Sequence, residues 1–156
     1  RNHQDAQASA GIGIAATRQE ERFLALTGTQ EYAPSLFDNQ ESVLNAGVLF
    51  SIPALMSQGL ELFFKAFKPL SPGFYGLHHI LLTLCYMALC RIKNIEQLKK
   101  HPPGELGKLL GLDRIPEVGY FRKKLHQIIA QSKTDELHAN LFHSWVEKMP
   151  EMFFLY

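Results

Sequence analysis

Three observations predict an all-α fold, a compact domain of six to eight helices. Two long stretches, 43–60 and 74–90, contain no Asp, Glu, Lys or Arg and read as buried helices. A basic amphipathic helix follows over 118–130. Prolines and glycines at 53, 69–73, 102–104, 111 and 116 cut the chain into short helical units. With 156 residues, 46% hydrophobic and 20% charged, the chain can bury a core of its own.

Residues 1–16 read as a flexible, polar arm, 17–149 as the helical domain and 150–156 as the start of a strand. In TRQEERFLAL, Thr17 is the expected cap, with acids in the first turn and Gly28 as the stop. A loop with Pro34 follows, and 35–38 is expected to form a single turn. Pro53 cannot donate to a helix, so the first apolar run should divide into a short helix to Phe50 and a second from Pro53 to Phe67. PLSPG at 69–73 is a loop. Leu77, Ile80, Leu81, Leu84 and Ala88 share one stripe, which makes the next helix the centre of the core. Asn94 separates it from IEQLKK, which His101-Pro102-Pro103 ends. The last helix starts near Thr134, with Asp135 and Glu136 in its first turn, and runs to Lys148; Trp145 should pack with Leu137, Leu141 and Phe142.

A membrane hairpin is the rival reading of the two apolar runs. Asn45, Pro53 and Gln58 interrupt the first, and the second is short for a bilayer and carries His78 and His79. Buried helices are therefore preferred. Cys85 and Cys90 lie five residues apart in the second run, more than one helical turn, and do not suit a disulfide with each other; this points to a reducing, cytoplasmic setting. No signal-peptide pattern is visible in the first residues.

Charge is unevenly placed. Between Arg91 and Lys133 ten Lys/Arg face four acids, a local net charge of +6 in a chain of +1, which leaves −5 elsewhere. That asymmetry favours a polyanionic partner at one end. Within this window, 104–130 reads as a helix-turn-helix-like pair. A short helix over 104–110 turns inward Leu106, Leu109 and Leu110, and Gly111 supplies a tight turn. Pro116 and Glu117 then start a second helix. Val118, Phe121, Leu125, Ile128 and Ile129 form its inner face, while Tyr120, Arg122, Lys123, Lys124 and Gln127 lie outside. Lys108, Arg114, Tyr120, Arg122, Lys123 and Lys124 are the candidate contacts to double-stranded DNA.

The segments LNAGVLFSIPALMSQGL, PLSPGFYGLHHILLTLCYMALCRIKNIEQL and HPPGELGKLLGLDRIPEVGYFRKKL stand in this order. The series resembles the region upstream of the catalytic domain in a group of bacterial transposases, from about residue 20 to the end. GELGKLLGLDRIPEVGYFRKKL is its most specific piece. The resemblance implies a ribonuclease-H-like, three-acid (DDE-type) catalytic domain with divalent metal beyond this chain, since MFFLY stands where such a strand would lead into the first catalytic Asp. No catalytic residue is carried over, and no cofactor is expected in the chain itself.

Other candidates are weaker. Gly11, Gly13 and Ala16 mimic a dinucleotide fingerprint, but no strand precedes them. His78 and His79 are expected on different sides of a helix, unable to share an ion. His143 and Glu147, with His138 nearby, lack further ligands, so no metal site is assigned. No Ser-His-Asp, Cys-His or paired-carboxylate arrangement can be assigned either. The expected function is recognition of transposon DNA, with a homodimer compatible and neither a membrane nor a small-molecule substrate as partner. The alternatives are a helical dimerisation or bracing module without DNA contact, and a decayed remnant.

Overall fold

The computed structural model describes residues 13–37 and 42–148. Among them are seven α-helices and two 3₁₀ helices, and no strand. The α-helices are α1 (Gln19–Leu26), α2 (Ile52–Ser57), α3 (Leu60–Ala66), α4 (Leu77–Leu89), α5 (Pro103–Lys108), α6 (Val118–Ile129) and α7 (Thr134–Lys148). A first 3₁₀ helix, Ala46–Ser51, runs straight into α2, and a second, Ile95–Lys100, lies between α4 and α5. The expected strand at 150–156 and the arm up to residue 12 lie outside the described residues, as does the end of the expected turn at 35–38. Residues 13–16 pack on the domain, with Ala16 buried.

Helix α4 is the centre of the core, packed against α3 on one side and α6 on another. Contacts on both sides bury more than a single stripe. Ile80, Leu81, Thr83, Tyr86 and Met87 are buried, while Ala88, expected inside, is exposed. Thr83 returns its hydroxyl to the His79 carbonyl at 2.6 Å, so its burial leaves no donor unpaired.

The helix expected from Pro53 to Phe67 is broken in two. Gly59 adopts φ +105°, in the left-handed region, and a Cβ there would come within 2.7 Å of the Leu141 side chain. The break lets α7 approach closely. Helix α7 packs on α3 and also closes the end of α2: Trp145 Nε1 donates to the Gln58 carbonyl (2.9 Å) and Lys148 Nζ to that of Ser57 (2.8 Å). Those carbonyls belong to the group a helix cannot satisfy itself. Among the described residues no single helix is long and apolar enough to cross a membrane; the first 3₁₀ helix with α2 and α3 reaches that length only jointly, across a 72° bend.

Helix α1 begins one residue later than Thr17 would set it, with Arg18 as N-cap and Gly28 (φ +74°) after its end. The Thr17 amide instead donates to Asp113.

The tight turn expected at Gly111 is a nine-residue connection, 109–117. Leu109, Leu110, Leu112 and Ile115 are all buried in it, so it forms part of the core. Its position is fixed by close backbone contact: a Cβ on Gly107 would lie 2.4 Å from Arg114 Cα. Asp113 holds it from the other side. Its carboxylate accepts from Thr17 N (2.8 Å), Arg18 N (3.1 Å) and Arg22 Nη2 (2.6 Å), and Arg18 Nη1 reaches the Gly111 carbonyl (3.2 Å). Burial opposes ionisation of Asp113, but Arg22 and the two amides outweigh it and hold the carboxyl below its usual value.

Candidate nucleic-acid interface

Helix α6 packs on the second 3₁₀ helix and on α4, so its closest basic neighbour is the segment IEQLKK, not α5. Val118, Phe121, Lys124 and Ile128 are buried. Gly119, Arg122, Lys123, His126, Ile129 and Ala130 are exposed and recur at the three- and four-residue steps of one helical face. Ile129, expected inside, is on this outer face.

The six residues predicted from sequence do not form one cluster. Arg122 is exposed and pairs with Glu96 Oε1 at 2.5 Å. Lys123 is exposed, and its side chain has neither an ion pair nor a hydrogen bond among the described residues. Lys108 is half-buried and pairs with Glu105 on its own helix at 2.8 Å. Tyr120 is half-buried against Tyr75, ring centroids 5.7 Å apart, and burial raises its hydroxyl pKa.

Arg114 and Lys124 are inside the protein, only 5% and 2% exposed. Arg114 pairs with Glu117 at 2.6 Å and lies so close to Gly13 that a Cβ there would meet its Nη1 at 1.9 Å. Its carbonyl accepts from Tyr75 Oη at 3.1 Å. Lys124 was expected on the outer face. Its Nζ donates instead to the carbonyl (2.5 Å) and hydroxyl (3.2 Å) of Ser71, tying the PLSPG loop to α6. Burial, and then the charge of Lys123, push its pKa down. The stem of a lysine is apolar enough to fill this inner position once the ammonium has oxygen acceptors.

Residues from the second 3₁₀ helix join the exposed face and were missed in the candidate set. Asn94 caps this helix by accepting from Gln97 N at 3.1 Å, and Leu98 anchors it in the core. Glu96, Lys99 and Lys100 are left exposed. Glu96 takes Lys99 Nζ on Oε2 at 2.6 Å while holding Arg122 on Oε1. The Lys99 hydrogen bond, with the Arg122 charge, keeps its carboxyl below the usual value. The available signal was the i, i+3 spacing of Glu96 and Lys99 behind an Asn cap.

The two adjacent histidines come together: their ring centroids are 3.9 Å apart. They occupy the first turn of α4, where His79 Nδ1 curls back to accept from Gly76 N at 3.1 Å. Burial, then His78 and Arg18, push the His79 pKa down to about 3, so it serves as a neutral acceptor. Among the described residues no group of three His, Cys, Asp or Glu side chains could hold a metal ion. Cys85 and Cys90 are half-buried free thiols.

A family described as "Transposase protein" matches residues 13–156. The chain belongs to this transposase family. The match includes every helix among the described residues, α6 and the 3₁₀ helix beside it among them. No curated protein and no solved structure matches the chain.

Proposed function

We propose that this chain is the DNA-recognition part of a transposase and binds the duplex DNA of its own element through α6 and the second 3₁₀ helix. The observation that carries the reading is the composition of the shared surface. Arg122, Lys123 and His126 on α6 and Lys99 and Lys100 beside them are exposed, and α6 has no carboxylate along its length. Twelve residues make a helix roughly 18 Å long, a size that enters a major groove. Arg122 has the fork geometry for a guanine edge or a phosphate, and Lys99, Lys100 and Lys123 supply phosphate contacts. Arg114 and Lys124 support the surface from within. The three-acid, metal-dependent strand chemistry that the resemblance implies is assigned to none of these residues.

The test is a salt titration of binding to generic duplex DNA and to the element's own ends, with Arg122→Ala/Lys123→Ala as comparison. Binding should weaken steeply with salt and favour the element's ends. The double variant should bind at least about tenfold more weakly, with its salt slope reduced by about two. Equal binding by a folded double variant would remove the basis of the proposal.

A second reading, a dimerisation or bracing module, is favoured by the uncharged 43–60 stretch, where Leu44, Phe50 and Met56 are exposed. It requires the double variant to keep both its oligomeric state and whatever DNA affinity the chain has.

A further inference from the structure

Glu96 is the sole carboxylate in the two elements that carry the exposed cations. It has drawn together two cations from different helices, Lys99 Nζ at 2.6 Å on one oxygen and Arg122 Nη2 at 2.5 Å on the other. Among the described residues those two cations are the hydrogen-bond and ion-pair partners of the Glu96 side chain. We infer that Lys99 and Arg122 form a binding site for one phosphodiester group, and that the Glu96 carboxylate occupies this site when DNA is absent.

The site suits a phosphodiester by its chemistry, an assignment that rests on the DNA-binding reading above. A carboxylate and a phosphodiester each carry one negative charge and offer two acceptor oxygens, so cations converging on the first are placed for the second. All three side chains are about half exposed, at 46% for Glu96, 53% for Arg122 and 64% for Lys99, so solvent screens the pair and exchange of one anion for another is easy. Lys100 and Lys123, exposed and without ion-pair partners among the described residues, supply cations for neighbouring phosphates. The occupied site lowers the affinity for any DNA, because the Glu96 charge offsets one of the four positive charges that Lys99, Lys100, Arg122 and Lys123 bring to these two elements. Every complex that fills this site must displace Glu96, so specific and non-specific binding are weakened alike.

Glu96→Gln, in the full chain, separates this role from that of a simple brace. The probe is a labelled generic duplex followed by fluorescence anisotropy over a salt series. The variant should bind about three- to tenfold more tightly at low salt, with a salt slope steeper by up to about one, since one positive charge is no longer offset. Glu96→Gln/Arg122→Ala should lose most of that gain. Should Glu96→Gln fold poorly, Glu96→Ala carries the same expectation. Unchanged affinity and slope in Glu96→Gln, with Arg122→Ala/Lys123→Ala still weakening binding, would overturn the phosphate site and leave the DNA reading standing. Absence of binding by the wild-type chain and by Glu96→Gln alike would overturn both.

Discussion

Lys123 and Lys124 are neighbours in the sequence and opposites in the structure. Lys123 stands in solvent without an ion-pair partner among the described residues; Lys124 is buried to within 2% and ends on two oxygens of Ser71. The same contrast separates Arg122, half in water, from Arg114 in the 109–117 connection, packed on Gly13 and Glu117. A cation's type therefore says little about its role; its face does. The inner side of this region is a fixed frame, and the outer side is a solvent-exposed charged surface.

Breaking the frame should have the largest effects. Asp113→Ala leaves Arg22 and two amides without their acceptor and should lower stability by about 3 kcal/mol or more in chemical denaturation. Because the Asp113 carboxyl titrates below its unfolded value, its contribution is present above about pH 4 and is lost as pH falls through the folded pKa. The stability gap between wild type and Asp113→Asn should therefore narrow below about pH 4. Gly107→Ala forces a methyl into the Arg114 backbone and should cost about 2 to 3 kcal/mol, read from the same denaturation curves.

Lys124→Ala should cost about 1 to 3 kcal/mol, from a lost stem and a Ser71 carbonyl without its donor. Its affinity for DNA should change far less than that of Arg122→Ala/Lys123→Ala, a contrast that measures the two faces directly. On the outer face the stability effects should be smallest. Arg122→Ala and Lys123→Ala should stay within about 0.5 kcal/mol of wild type by thermal melting. Gly119→Ala, whose new Cβ meets nothing within 4 Å, should stabilise by about 0.5 to 1 kcal/mol through improved helix propensity.

What could be read in advance follows from how local each signal is. The apolar content of α4, the span of α7 from Thr134 to Lys148 and the start of α6 after Pro116 are written in adjacent residues, and the structure has them there. The break at Gly59 was not legible, because its reason is Leu141, about 80 residues away. Gly111 read as a tight turn since nothing beside it announces that Asp113 will be held by residues 17, 18 and 22. Lys124 is the instructive case. It lies three residues after Phe121 and four before Ile128, so its spacing placed it on the inner face; its charge argued otherwise, and Ser71, the residue that resolves the conflict, comes from a loop 53 residues earlier. Of the exposed site, Arg122 and Lys123 were legible on their own helix, whereas Lys99, Lys100 and Glu96 belong to a second element that only tertiary packing brings alongside.

The Asp113 clamp also has a consequence in time. It joins residues 91 to 96 positions apart, so on a chain made at about 5 to 20 residues per second α1 waits roughly 5 to 20 s for its anchor to be synthesised. An eight-residue helix is marginal alone, and closing so long a loop is entropically late. Docking of α1 is therefore a finishing step of folding: weakening the clamp should accelerate unfolding while leaving the refolding rate nearly unchanged.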